Sequence, residues 1–322
     1  MRFWPQAGRI AQIVMIFAAS EFVSAISPEH VQQDAKSPAR EPGTVPEPFA
    51  PSLTAAGLTG IPVFSPDGNE IYWVSRTKEI QKGSIVCMKL SGGHWSQPMA
   101  VAFSSHNTDG YPALSPDGSR IFFASLRGFR EMEGSSHWRI WYAERTSAGW
   151  TQAVLLGGSI NEYSSNAPSL ARDGTLYFAS ERPGGKGEFD IYRSRFVNGE
   201  YDQPQNLGNS INTPNNDVHP WISPDEKVLM YSSSGWGDCY GSSDLYISYR
   251  NADGSWPKAK NLGRSINTDA DDLYARLSPD GRWLFFATVK DGWHQVFWVD
   301  ARIVKGLGSR ESRIKEHCTF RE

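Results

Sequence analysis

Cysteine is scarce. The 322 residues carry three, Cys87, Cys239 and Cys318, scattered along the chain. Their spacing excludes a disulfide framework and a cysteine-based metal cluster. Free, partly buried thiols are the expected state, with at most one bridge, such as Cys239 to Cys318. Charge of one sign is lacking too: 32 Lys and Arg stand against 35 Asp and Glu, a net charge of −3. An extended nucleic-acid surface needs a basic stripe, so nucleic acid is not an expected partner. Catalytic signatures are missing as well. The chain has no G-x-S-x-G nucleophile elbow and no H-E-x-x-H zinc motif.

Glycine, proline and aromatics are plentiful instead: 30 Gly, 20 Pro and 12 Trp, with aromatics at 12%. That mixture suits many short strands joined by tight turns. The first residues carry an export pattern. Arg2 and Arg9 precede or open an apolar run from Ile10 to Ala19, and Val23-Ser24-Ala25 offers small residues for cleavage after Ala25. The run contains Gln12 and is too short to span a bilayer comfortably. Residues 1–25 read as a signal peptide. Residues 26–46, polar and rich in Pro, Glu, Gln and Ser, read as a flexible linker, and residues 306–322 as a charged tail. The mature chain is then periplasmic or secreted, with no membrane span.

Between linker and tail the sequence repeats. Ser65-Pro66-Asp67-Gly68 returns as Ser115-Pro116-Asp117-Gly118 and Ser278-Pro279-Asp280-Gly281. Worn copies stand at Ser223-Pro224-Asp225-Glu226 and Ala171-Arg172-Asp173-Gly174. Serine caps such a turn, proline pre-sets φ, aspartate tolerates the third position and glycine closes it. Measured at the second turn position, the steps are 50, 56, 52 and 55 residues. Each turn joins two apolar β-rich runs. A third run comes next, such as Asp190 to Phe196, and a fourth opens on Trp150, Tyr201 or Trp256.

Four short strands per unit at a period near 50 predict an all-β fold, a single β-propeller over residues 47–305. Five turns predict five blades of four antiparallel strands; six blades would need about 50 more unassigned residues. The fifth unit lacks its fourth strand. The stretch Pro48 to Leu53 echoes that strand, so an N-terminal strand is expected to close the ring and cover its bare edges.

These residues carry a resemblance. The turns, strands such as Ile121-Phe122-Phe123-Ala124-Ser125, the Asp-Ile-Tyr and Asp-Leu-Tyr starts at Asp190 and Asp244, and the paired runs Asn206 to Thr213 and Asn261 to Thr268 resemble the WD40-like Pro-Asp propeller repeat of TolB-type exported bacterial proteins. The resemblance covers residues 48 to 304. It implies a propeller, often of six blades in that family, in an exported protein. Some relatives add a prolyl-oligopeptidase domain, for which no residues remain here.

Function is expected at the mouth of the channel, lined by the strand that enters each turn. Six residues before each turn stand Thr59, Asp109, Ser165, Asp217 and Asp272. Four before stand Ile61, Tyr111, Ala167, His219 and Tyr274, and two before stand Val63, Ala113, Ser169, Trp221 and Arg276. Even spacing puts these on one strand face. The candidate ligand-binding residues are therefore Asp109, Tyr111, Asp217, His219, Trp221, Asp272, Tyr274 and Arg276. Two readings stay open for the aspartates: they meet a ligand, or they cap strands and satisfy loop backbone. A carboxylate trio, with Asp269 and Asp271 nearby, would suit calcium, although no calcium-loop spacing is present. The glycine-rich loops at 182–187 and 235–241 lack the strand-loop-helix setting of a phosphate site. Their aromatics, Trp236 and Tyr240, suit a sugar or peptide, or packing on the blade edge.

The expected function is a non-catalytic binding module for a protein, a peptide or an envelope glycan, with no cofactor required. The rival is a carboxylate-dependent glycoside hydrolase using Asp109, Asp217 and Asp272. The export reading makes its own prediction: mass spectrometry of the protein recovered from an expressing bacterium finds an N-terminus at Ile26.

Overall fold

Apolar residues crowd the second strand of every repeat, and the architecture explains why. The structure, a computed structural model, describes residues 41–55, 57–76, 83–104, 108–127 and 137–304. The expected signal peptide, most of the expected linker, the charged tail and Cys318 lie outside the described residues. Within them, five small antiparallel sheets form the five blades of a β-propeller. Neighbouring blades cover both faces of each second strand. Ile71–Val74, Ile121–Ala124, Leu176–Ala179, Leu229–Tyr231 and Leu284–Ala287 are consequently all buried. A strand buried on both faces reads as a continuous apolar run instead of alternating.

Blade one comprises Leu58–Phe64, Glu70–Ser75 and Ser84–Ser91, with a fourth strand broken into His94–Trp95 and Met99–Ala100. Blade two comprises Asp109–Leu114, Arg120–Ser125 and Arg139–Thr146, again with a broken fourth strand at Gly149–Trp150 and Val154–Leu155. Blades three and four begin at Ser165–Leu170 and Asp217–Ile222 and end on two-residue strands, Gln205–Asn206 and Lys260–Asn261. Trp256, expected to open the fourth strand of blade four, lies outside any strand and packs instead into the core between blades three and four.

Every Ser-Pro-Asp turn uses the same internal bond. Ser65 Oγ donates to Asp67 Oδ1 at 2.5 Å, and Ser115, Ser223 and Ser278 do the same to Asp117, Asp225 and Asp280 at 2.5–2.7 Å. The fourth position needs a left-handed residue, and Gly68, Gly118 and Gly281 have φ of 74°, 71° and 68°. In blade four Glu226 adopts φ 55° at that place. Its strain is offset by Tyr177, whose hydroxyl donates to it at 2.6 Å, and by Arg250 at 3.1 Å.

The ring closes through the N-terminus. Blade five supplies Asp271–Leu277, Trp283–Lys290 and Trp293–Asp300, and its fourth strand is Glu47–Pro48, paired antiparallel to Phe297 and Trp298. The Phe49 N–H extends the ladder to Val296 O at 2.8 Å. Beyond it the chain leaves the sheet, and Pro51–Ala55 forms one helical turn. The contact begins before the strand, because Asp300 N–H donates to Gly43 O at 3.0 Å and Arg282 pairs with Glu41. Phe49 then wedges between the first and last blades, with ring centroids 5.1 Å from Phe285, 5.5 Å from Trp298 and 6.2 Å from Trp73.

Closure therefore has an aromatic anchor in Phe49, backed by the buried Leu53. Phe49→Ala is expected to lower stability by about 2–4 kcal/mol, somewhat below the ~3–5 kcal/mol of a fully buried phenylalanine because Phe49 is half-buried. Val45→Ala, at a residue 70% exposed, is expected to stay within about 0.5 kcal/mol. Urea unfolding of the two variants measures both.

Candidate functional site

The inner strands line the channel, and each is bulged. In blade two Gly110 pairs with Ala124 and Ala113 with Phe122, so two inner residues oppose one partner residue. Blades three, four and five bulge the same way between Asn166 and Ser169, Val218 and Trp221, and Leu273 and Arg276. The bulge puts Tyr111, Ala167, His219 and Tyr274 in the left-handed region, with φ of 55°, 49°, 55° and 65°. Blade one has a longer bulge, and Gly60 takes that conformation at φ 74°. A non-glycine residue held there costs of order 1–3 kcal/mol and clusters at functional sites. A bulge also re-aims side chains, and here it turns three large rings into the channel.

The same bulge corrects the even-spacing argument. Asp109 pairs with Ser125 while Ala113 pairs with Phe122. Those partners are three residues apart, so the inner strand changes face between them. The registers at Asp217 and Asp272 do likewise. The three aspartates consequently do not face the channel. All are 0% exposed. Asp217 Oδ2 accepts from Thr213 N–H at 2.5 Å and Thr213 Oγ1 at 2.9 Å. Asp272 repeats this with Thr268 at 2.5 and 3.0 Å, and its Oδ1 accepts from Thr288 Oγ1 at 2.6 Å. Asp109 accepts from Ser104 Oγ at 2.9 Å and pairs with Arg127 at 2.7 Å. Burial pushes Asp217 up to about 6, against the pull of its Ser233 and Thr213 hydrogen bonds, and raises Asp272 in the same direction.

The expected carboxylate trio is therefore three separate strand caps. The local acidic group disperses as well, since Asp269 pairs with Arg264 at 2.5 Å. Among the described residues no three His, Cys, Asp or Glu side chains are grouped to hold a metal ion, so calcium has no ligand set there. Both described cysteines, Cys87 and Cys239, are free.

The other five candidates come together around a cavity of about 100 Å³ in the channel: Tyr111, His219, Trp221, Tyr274 and Arg276. Ring centroids lie 4.1 Å apart for His219 and Tyr274, 5.5 Å for Tyr111 and His219, and 6.2 Å for Tyr111 and Tyr274. Two lining residues were not read from the sequence. Arg76 comes directly after the second strand of blade one, and His294 is the second residue of the third strand of blade five, its ring 5.8 Å from Tyr274. Neither is on an inner strand, so counting back from the turns could not find them. His294 Nδ1 accepts from Gly60 N–H at 3.3 Å across the seam between the first and last blades.

Among the described residues no acidic side chain lines this cavity. Burial pushes His219 down to about 3, helped by the nearby His294, and pushes His294 down to about 4, helped by the charge of Arg76. Both imidazoles are neutral near pH 7. Burial also lowers Arg276 to about 10, which leaves it charged. The lining thus combines neutral aromatic donors with fixed positive charge.

The glycine-rich loops have a packing role. A side chain at Gly187 would collide with Asn215 O, and one at Gly241 with Ala270 O, each the backbone of the next blade. Trp236 donates from Nε1 to the Tyr231 hydroxyl at 3.1 Å and carries Lys258 over its ring. Tyr240 is partly exposed beneath Arg264.

No protein-family model matches the chain, and no curated protein matches it. Solved structures do. TolB from Acinetobacter baumannii aligns at 19% identity and a TM-score of 0.51, over 75% of this chain and 54% of that one. The chain thus spans about half the length of that relative. An α-L-arabinofuranosidase from Lactobacillus brevis aligns at 14% identity and 0.52, over 75% and 90% of the two chains. An endo-arabinase from Bacteroides thetaiotaomicron aligns at 14% and 0.52, over 76% and 93%. At such identities the likeness is one of fold, and the propeller hosts both non-enzymatic and enzymatic proteins. No helix among the described residues is long and apolar enough to cross a membrane.

The buried caps predict a pH signature. The Asp217 carboxyl titrates near 6 when folded and near 3.9 when unfolded. Its contribution is full below the unfolded value and is lost as pH rises through about 6. Asp217→Asn and Asp217→Ala should therefore both destabilise more at pH 4.5 than at pH 7, and Asp217→Ala should cost about 1–3 kcal/mol more than Asp217→Asn at either pH by stranding the Thr213 donors. Chemical denaturation at the two pH values separates the pair.

Proposed function

We propose that the chain is an exported, non-catalytic binding propeller whose site is the channel mouth and whose partner is a protein or peptide. The observation that carries the reading is the lining itself. Tyrosine, tryptophan and arginine from different blades converge on one cavity with no carboxylate among the described residues that line it. Such side chains dominate the anchoring contacts of protein interfaces. The cavity, about 100 Å³, is well below the ~300–1,000 Å³ of pockets that enclose a drug-sized ligand. It admits one side chain or a chain end. That favours a peptide or protein over an envelope glycan, whose sugar rings would have to stay outside.

The hydrolase alternative draws support only from fold likeness to the two arabinan-type enzymes. Glycoside hydrolysis uses two carboxyl groups about 5–10 Å apart flanking the bond to be cut. Asp109, Asp217 and Asp272 are each buried in a different blade and are absent from the lining.

Affinity capture from envelope extract tests the proposal. Wild-type mature protein should retain a partner that Tyr111→Ala and Trp221→Ala lose by at least about tenfold, with melting curves showing both variants folded. Capture unaffected by both variants sinks the reading. So does hydrolysis of arabinan or an aryl arabinofuranoside by the purified protein if Asp217→Asn abolishes it without unfolding the chain.

A further inference from the structure

Among the described residues two guanidinium groups face the channel, and no carboxylate lines it with them. A buried polar atom without a partner is costly, so a guanidinium with an unpaired buried nitrogen invites an acceptor. Arg76 carries the stronger case. Its buried Nε has no hydrogen-bond partner. Its charge acts on Tyr111, Tyr274 and His294, which puts the guanidinium beside the ring of aromatic side chains.

The neighbours are donors. Burial raises the titration of the Tyr111 and Tyr274 phenols, so both keep their protons. His294 is neutral and its Nδ1 accepts from Gly60, so its proton sits on Nε2. The buried Nδ1 of His219 also has no partner. One fixed positive charge, the hydrogen-bonded phenol pair Tyr111–Tyr274 and an imidazole N–H thus surround a space without an acidic side chain among the described residues. At about 100 Å³ the cavity is smaller than the ~150 Å³ that takes a benzene. Only a group of a few heavy atoms fits.

We propose that the channel receives a compact oxyanion, a carboxylate or phosphate group, with Arg76 as its charged anchor and Tyr111, Tyr274 and His294 as its neutral donors. The inference rests on the channel being the binding site and names the chemistry it takes. Arginine with hydroxyl and N–H donors is the donor set that planar or tetrahedral oxyanions need. Arg276, whose buried Nε is likewise unpartnered, lies two residues further along the inner strand of blade five and extends the positive lining.

Calorimetric titration of the mature protein at low ionic strength tests this. The probes are inorganic phosphate, acetate, a short peptide with a free terminal carboxylate and the same peptide as its amide, with chloride as the ionic-strength control. At least one oxyanion should bind where chloride does not. Arg76→Gln should weaken it by at least about tenfold, while Gln at the exposed Arg172 leaves it unchanged. Tyr111→Phe and Tyr274→Phe remove only hydroxyls. They carry the test, through a smaller loss of affinity, if Arg76→Gln fails to fold.

A peptide acid that outbinds both its amide and acetate identifies a chain end as the source. Equal binding of acetate or phosphate identifies a small free acid, and either supports the site. No oxyanion binding up to about 10 mM, or affinities unchanged in the Arg76 and tyrosine variants, overturns it. Absent anion binding with Trp221-dependent partner capture overturns this inference alone. Anion binding with capture indifferent to the mouth variants overturns only the protein-binding reading.

Discussion

The ring depends on a buried carboxylate at the start of an inner strand. In blades four and five, Thr213 and Thr268 give both backbone N–H and hydroxyl to Asp217 and Asp272. That fixes the loop arriving from the previous blade. The same aspartates donate their own N–H groups backwards, to Phe189 O and Ser243 O, each at 2.8 Å. One residue thus closes a turn and stitches two blades. Just upstream, Asn212 and Asn267 clamp both backbone groups of Ile191 and Leu245 in the third strands. Buried polar networks of this kind fix a unique arrangement because partial satisfaction is so costly. At the seam between the last and first blades the bond is different: Gly60 N–H meets His294 Nδ1, and Phe49 adds the apolar wedge.

The inner strand beyond the clamp decides the channel. Each leaves its cap and bulges within two or three residues, and the bulge reverses which face points inward. The caps end in the seams, while the left-handed residues after them end at the channel. Strain there persists because ladder pairing on both sides over-determines the backbone. The electrostatic result is a polar lining, acid-free among the described residues, whose histidines burial keeps neutral and whose Arg276 stays charged. The carboxylates that would neutralise that charge are committed to backbone donors elsewhere.

Much of the fold was legible. The Ser-Pro-Asp turns state their chemistry locally, since every group in the Ser–Asp bond lies within three positions. Four of them, with the worn turn at Ala171 to Gly174, recur at a steady period and give blade number, and the missing fourth strand of the last unit points to closure from the N-terminus. The paired Asn-Leu-Gly to Asn-Thr runs at 206–213 and 261–268 were visible as a repeat but not as the clamp they form, because their partners lie on other strands. Of the candidate site, Tyr111, His219, Trp221, Tyr274 and Arg276 were found by counting from the turns. The aspartates were assigned to the wrong face because a count by twos assumes an unbroken pleat.

The sequence by itself determined the repeat, the turn geometry and the strand order, since each is encoded in contacts between near neighbours. Only the tertiary structure decided which way the inner side chains point. A single extra residue in a ladder inverts strand parity, and nothing in the local pattern marks that residue. It also decided that Arg76 and His294 reach the channel. They come from outside the inner strands and share no spacing with them, so closing the ring is what makes them neighbours.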